Sequence, residues 1–271
     1  MNGASREALT AARERLDALT DSTSVDAAAL ADELAAVTAL LDREVSLRRV
    51  LTDPAQAGEA KAELAQRLLG GQVSGPAADL VTGMVRSRWS QPRDLVDALE
   101  ELADTADFTA AQRANALDDV EDELFRFGRI ISSNTELRAA LTNRSASGTA
   151  KTELLRSLLG GRANATTERL VTRLVTAPRG RSLESGLESL SKLAAERRNR
   201  MVAVVTSAVP LSDTQRQRLG AALAKLYGRA MHLNLDVDPE VVGGIRVQVG
   251  DEVINGSLAD RLEDAARRLA S

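Results

Sequence analysis

The stretch AKAELAQRLLGG, residues 60–71, returns as AKTELLRSLLGG, residues 150–161, ninety positions on and with eight of twelve letters unchanged. Working outward without a gap, residues 47–85 laid on 137–175 give 17 identities in 39 positions. A shared helical composition would repeat the leucines. It would not repeat the register of Gly58, Lys61, Glu63 and Gly70-Gly71 with Gly148, Lys151, Glu153 and Gly160-Gly161. The chain therefore carries a duplicated unit, each copy too short to be a large domain and long enough for a small bundle.

Both copies read as helical. Leu30, Leu34, Val37 and Leu41 recur at the spacing that puts one stripe of a helix into a core, and Val120, Leu124, Phe127 and Ile131 repeat the pattern. Earlier, residues 5–19 predict a first helix, and Thr20-Asp21-Ser22-Thr23-Ser24 predicts a loop that caps the next one. Asp53-Pro54 reads as an N-cap and first-turn proline of the helix carrying the repeat, which Gly70-Gly71 stops. Leu64 and Leu154 are expected core anchors of the two copies. Further helices are predicted over 75–90 and 92–106. Past position 85 the copies drift, since Leu95, Leu99 and Leu102 meet Leu183, Leu187 and Leu190 only after two loop residues are removed. At the 90-residue offset the opening helix with Leu9 falls on the segment with Leu99, so one helix is expected to close the first bundle and open the second.

The rhythm changes near residue 200. Val202, Val204, Val205 and Thr206 form a β-branched run ended by Pro210, which predicts a strand. Ser212 and Gln215 have capping-box spacing ahead of a helix reaching Tyr227. Met231, Leu233, Leu235 and Val237 alternate, as do Ile245, Val247 and Val249, and these two segments are expected to pair. Residues 257–270 predict a last helix with Leu258, Leu262, Ala265 and Leu269 inward. The fold class is mainly α with a small α+β C-terminal domain. Two tandem bundles, 1–106 and 107–199, precede a β-α-β-β-β-α unit over 200–271.

Composition narrows the chemistry. Aromatic residues make up 2% of the 271, so Leu, Val and Ala must build the cores, which suits closely packed helices. With no cysteine and one histidine, His232, disulfides and thiolate zinc sites are excluded, and no metal or cofactor is expected. His232, inside a predicted strand, is expected at a surface or edge. The start lacks the apolar core of a signal peptide, and no stretch has the roughly 20 apolar residues of a membrane span. The expectation is a soluble, cytoplasmic protein. Net charge is −4 with both signs interspersed. Arg197, Arg198 and Arg200 form the densest basic patch, but no aromatics interleave with it, and no nucleic-acid partner is expected. VVGGIRVQVGD, residues 241–251, lacks the Lys-Ser/Thr of a phosphate loop, so Gly243-Gly244 reads as a turn. Asp236, Asp238, Glu240 and Asp251 lack a nearby nucleophile or base, so no catalytic residues are expected.

VVTSAVPLSDTQRQRL (204–219), VDPEVVGGIRVQVGDEVINGSLADRL (237–262) and the preceding K-x-E-L…LLGG bundles together resemble the delta subunit of bacterial rotary ATP synthases, the family of the mitochondrial oligomycin-sensitivity-conferring protein. Members usually open with an Arg-x-Tyr-Ala helix. Here Ser5-Arg6-Glu7-Ala8-Leu9 stands instead, and the duplicated bundle accounts for the extra length. The resemblance implies a non-catalytic stator, or peripheral-stalk, subunit, one copy per complex, on the cytoplasmic face of the bacterial cell membrane. Its helical part would bind the amphipathic N-terminal helix of an alpha subunit, and its C-terminal part the distal end of the b subunit. On that basis Ala8, Leu9, Ala12, Leu16, Leu80, Val81 and Met84 are candidates for the alpha-helix groove, with Leu170, Val171 and Leu174 as a second groove. Ile245, Val247, Val249, Val253, Leu258 and Leu262 are candidates for the b contact. A nucleic-acid-binding adaptor is the alternative of a different class.

Overall fold

The computed structural model describes residues 1–21, 25–198, 201–227, 231–238, 244–249 and 252–255. The chain divides into two compact units, Met1–Arg197 and Arg198–Ser271.

The first unit is all helical. Copy one comprises α1 (Gly3–Asp21), α2 (Ala27–Arg43), α3 (Val45–Thr52), α4 (Gly58–Leu69) and α5 (Gly75–Arg86), followed by α6 (Pro92–Arg113). Copy two continues with α7 (Leu117–Ser133), α8 (Thr135–Thr142), α9 (Gly148–Leu159), α10 (Ala165–Thr176) and α11 (Leu183–Arg198). From α2/α7 to α5/α10 both ends of each helix pair differ by 90 positions. The duplication seen in the letters is thus a duplication of boundaries.

The devices that set those boundaries repeat as well. Glu33 accepts from the Ser74 amide at 2.9 Å and the Ser74 hydroxyl at 2.5 Å, tying α2 to the start of α5. Its counterpart Glu123 accepts from the Asn164 amide at 2.9 Å and the Thr167 hydroxyl at 2.5 Å. Gly71 and Gly161 end α4 and α9 with φ of +77° and +68°, a conformation in which a Cβ would clash. Their neighbours Gly70 and Gly160 have ordinary φ but leave no room, since a Cβ there would stand 2.7 and 2.5 Å from the carbonyl oxygens of Gln66 and Arg156.

Several local expectations shift. Thr20 and Asp21 continue α1, where the Thr20 hydroxyl donates back to the Leu16 carbonyl, and Ser22-Thr23-Ser24 lies outside the described residues. The cap of α2 is Asp26, accepting from the amides of Ala28 and Ala29, because it alone directly precedes the first turn. The Asp53 carboxylate accepts from the Ala55 amide, and the Asn143 side-chain amide oxygen from the Ser145 amide, so both make a turn and α4 and α9 start five residues later. The helix expected to reach residue 90 stops at Arg86. Leu64 and Leu154 are only half-buried, whereas Ala65 and Leu155 point fully into the cores.

One helix, α6, replaces the two that separate bundles would need. It is continuous over 22 residues. Leu95, Leu99, Leu102 and Ala106 belong to the core of copy one, and Phe108 and Ala111 to that of copy two. Such a helix is buried nearly all round.

The second unit contains β1 (Met201–Ser207), α12 (Asp213–Tyr227), β2 (Met231–Val237), β3 (Ile245–Val249) and β4 (Glu252–Asn255). The capping box forms as read: the Ser212 amide donates to Gln215 Oε1 at 2.8 Å, and the Gln215 amide to Ser212 Oγ at 3.3 Å. The sheet order is β2-β1-β3-β4. The expected pairing of β2 with β3 is not made. β2 lies parallel to β1, reached through α12 as a β-α-β crossover, and β3 lies antiparallel on the other side of β1. Val205, Val247 and Val249 pack with Leu223 of α12. His232 lies in β2, an edge strand among those described. The predicted last helix, 257–270, lies outside the described residues. The architecture is mainly α with a small mixed sheet.

Candidate functional site

The residues expected to line the alpha-helix groove come together, but as interior. Ala8, Leu9, Ala12 and Leu16 of α1 and Leu80, Val81 and Met84 of α5 are all buried in the first core. Their period marked an apolar face correctly; what covers the face is the protein's own packing. An open cleft of about 710 Å³ lies beside them, where the outer side of α1 meets the turn after α5. Ala4, Ala8 and Ala11 form one wall and Pro54 and Trp89 the other, with Glu7 and Arg88 at its margin. Three bonds hold this geometry. The Ser5 hydroxyl, buried, donates to Asp94 at 2.7 Å and accepts from the Ser90 amide at 2.8 Å, and the Trp89 indole donates to the Met84 carbonyl at 2.8 Å. Small side chains opposite a fixed indole are what a helix needs to approach closely.

Copy two treats the matching place differently. Leu170, Val171 and Leu174 are buried in its own core. Between α6 and α10 stands a cluster of charge. Asp107, fully buried, accepts from Arg169 Nε at 2.9 Å and Nη2 at 2.6 Å, and also from Arg173. Arg173 reaches Asp104 as well, at 3.2 Å. Burial pushes the Asp104 carboxyl up to about 7; Arg173 opposes that shift and the neighbouring Asp107 reinforces it. Nearby, Glu100 pairs with Arg179 and, at 2.5 Å, with Arg181. Burial holds the Arg179 guanidinium below its usual range, with Asp97 pulling the other way. Copy one has Asp79 and Gly83 where copy two has Arg169 and Arg173, so no such lock can form between α1 and α5.

Of the basic patch, Arg197 turns inward and Arg198 is exposed. Arg197 is buried and donates to Gln112 at 2.7 Å and Asp17 at 3.3 Å, joining the end of α11 to α6 and α1. Arg200 lies outside the described residues. Sequence reasoning missed Phe125 and Ile130 of α7, which are 62% and 50% exposed beside a cleft of about 690 Å³ between α7 and α11. The available signal was their replacement of Ala35 and Leu40 at the 90-residue offset. In the second unit Val247 and Val249 are buried and Ile245 half-buried, leaving Val253 as the exposed candidate; Leu258 and Leu262 lie outside the described residues. Among the described residues no cluster of His, Asp or Glu could hold a metal ion, and no helix is long and apolar enough to cross a membrane.

The family model described as ATP synthase delta (OSCP) subunit matches residues 104–269. An ATP synthase subunit delta of Streptomyces coelicolor is 86% identical over 271 residues, covering all of this chain and 99% of its own length. The chain belongs to the ATP synthase delta (OSCP) family. ATP synthase subunits delta of Streptomyces avermitilis and Thermobifida fusca are 83% and 50% identical, each covering all of this chain. Delta subunits of this family are structural parts of the peripheral stalk of ATP synthase, a stator, and are not themselves catalytic. The family match begins inside α6, so it takes in copy two and the C-terminal unit and leaves copy one outside. The full-length relatives span copy one as well.

Proposed function

We propose that the chain links the catalytic head of the ATP synthase to its stalk, with the N-terminal helix of an alpha subunit held by copy one and the end of the b subunit held by the C-terminal unit. One copy per complex would sit at the cytoplasmic face of the membrane. Residues 1–106 and 107–199 then act as two bundles joined through α6, and 200–271 as a separate grip.

The open cleft between α1 and the α5–α6 turn carries this reading. It sets the small apolar side chains of Ala4, Ala8 and Ala11 with Pro54 and Trp89 beside Ser87, Ser90 and one charge of each sign, a mixed lining that suits an amphipathic helix with a few apolar anchors. At the 90-residue offset this cleft falls on residues 94–101 and 177–180, where Arg179 pairs with Glu100 and Asp97. Copy two therefore serves chiefly as a spacer, with Phe125 and Ile130 as its apolar surface for a second alpha chain or for b. Val253 supports the b contact on the second unit.

The test uses exposed wall residues and leaves the core intact. The full chain is titrated with the N-terminal peptide of alpha, and separately with short DNA and RNA, at moderate salt. Saturable one-to-one peptide binding is expected, weakened at least about tenfold by Ala11→Arg, which places a long side chain in the cleft. Binding to nucleic acid alone would overturn the proposal in favour of an adaptor.

A further inference from the structure

The two copies supply an internal comparison for a buried lysine that the stator role leaves unexplained. Lys61 and Lys151 occupy the same position in α4 and α9, and both are buried. In copy one the surroundings account for the charge. Lys61 Nζ donates to the Ser87 carbonyl at 3.3 Å, and Asp53 lies close enough to oppose the burial that lowers the ammonium's pKa. The joint is closed, since a Cβ on Gly58 would stand 2.9 Å from the Arg86 carbonyl oxygen.

Copy two keeps the lysine and loses its surroundings. Asn143 stands in place of Asp53, and at Ala177, the counterpart of Ser87, the backbone turns differently (φ −130°, ψ 64° against φ −70°, ψ 163°) and its carbonyl takes no bond from Lys151. The nearest atom to a Cβ on Gly148 is Thr176 Cγ2 at 3.9 Å, so the start of α9 stands off the end of α10. Lys151 is 8% exposed and has no hydrogen-bond or ion-pair partner among the described residues. A cavity of about 1020 Å³ opens beside it, lined also by Arg138 of α8, Arg144 of the α8–α9 turn and Arg181 of the α10–α11 loop. Glu184 is the one carboxylate in its lining. Glu184 takes Arg138 at 3.4 Å, and Glu100 takes Arg181 at 2.5 Å, leaving Lys151 and Arg144 without a counter-charge. Gly148 puts the amino end of α9 on the same wall, and that end carries partial positive charge.

The Lys151 ammonium reaches the cavity without an acceptor from the protein, so an anion bound there would supply the missing one. We infer that this cavity in copy two is a binding site for a phosphate-bearing anion. A phosphate brings nearly two negative charges and several acceptor oxygens, which matches two uncompensated cations, partly engaged guanidiniums and a helix start better than a single carboxylate does. The volume admits groups up to the size of a nucleotide. Bound, the anion would brace α9 against α10 in copy two, as the Lys61–Ser87 bond braces α4 against α5 in copy one. Occupancy would therefore stiffen the bundle between the two grips.

Calorimetric titration of the full chain with pyrophosphate at physiological salt tests the site, with ADP as a second arm. One saturable site is expected. Lys151→Gln should weaken it at least about tenfold, and Arg15→Gln, exposed on α1, should leave it unchanged. Tighter binding of ADP than of pyrophosphate would assign the site to nucleotides, and equal binding to free phosphates. Should Lys151→Gln fail to fold, the unaltered chain still decides: pyrophosphate should slow acetylation of Lys151 and not of exposed Lys192. No saturable binding, equal binding by a folded Lys151→Gln chain, or equal protection of both lysines would overturn the inference.

Discussion

Replacing Asp107 by Ala removes the carboxylate on which α6 and α10 converge. Asp107 is fully buried and accepts from two guanidiniums, Arg169 and Arg173, whose side chains are 32% and 19% exposed. Breaking a fully buried pair costs about 3–5 kcal/mol, because the partner is left charged and dry. Here two features lower that figure. Both arginines can regain some water, and Arg173 keeps Asp104 at 3.2 Å. Removing Asp107 also relieves the repulsion that helps raise the Asp104 carboxyl. A loss of about 2 kcal/mol remains, or about 4–8 °C in the melting of a unit spanning Met1–Arg197. Urea unfolding followed by helical circular dichroism measures it, with Arg169→Ala and the double variant completing a cycle whose coupling should exceed about 0.5 kcal/mol. Arg126→Ala, which breaks an exposed pair with Asp122, is the control and should change nothing measurable. If Asp107→Ala behaves like Arg126→Ala, the cluster does not hold α10 to α6, and the reading of copy two as locked is wrong.

Three further outcomes follow from single sites. The Asp104 carboxyl titrates near 7 in the fold against 3.8 ordinarily, so the folded chain binds the extra proton between those values. The stability this group contributes is full below about pH 4 and is lost as pH rises through about 7; Asp104→Asn should raise the melting temperature at about pH 8 and leave it nearly unchanged at about pH 4. Gly161→Ala, at φ +68°, should destabilise by about 1 kcal/mol in urea unfolding, whereas Gly83→Ala, inside α5 with nothing within 4 Å of the added Cβ, should stabilise by about 0.5–1 kcal/mol. Leu155→Ala should cost about 2–5 kcal/mol by the same measurement, and Leu154→Ala less than half as much, because only Leu155 is fully buried.

What could be read from the letters follows from what periodicity encodes. Leu30, Leu34, Val37 and Leu41 announce a helix with one buried face, and the repeat of Gly58, Lys61 and Gly70-Gly71 announces that the same unit occurs twice. Periodicity does not say what a face is buried against. Ala8, Leu9, Leu80 and Met84 therefore looked equally suited to a partner's groove and to the core they form. Alternation in β2 and β3 marked Leu233, Leu235, Val247 and Val249 as inward, though Val237 at the end of β2 is exposed, and it did not give their neighbours, so the place of β1 between them went unread. Charges misled in the same way. Asp104 and Asp107 look like a solvated helix face until Arg169 and Arg173, more than sixty positions on, fold over them, and Arg197 looks like a basic patch until Asp17 meets it from 180 positions away. The shared helix was legible because the offset of 90 made one segment answer to two roles, and α6 is continuous across both.

The stator account is tested most directly by depletion and restoration in membrane vesicles carrying the assembled ATP synthase. Vesicles stripped of this chain should lose proton-driven ATP synthesis while the head retains ATP hydrolysis, and adding back the full chain should restore synthesis. A chain blocked at the copy-one cleft by Ala4→Arg and Ala11→Arg should fail to restore it. Undiminished proton-driven synthesis in fully depleted vesicles would contradict the account.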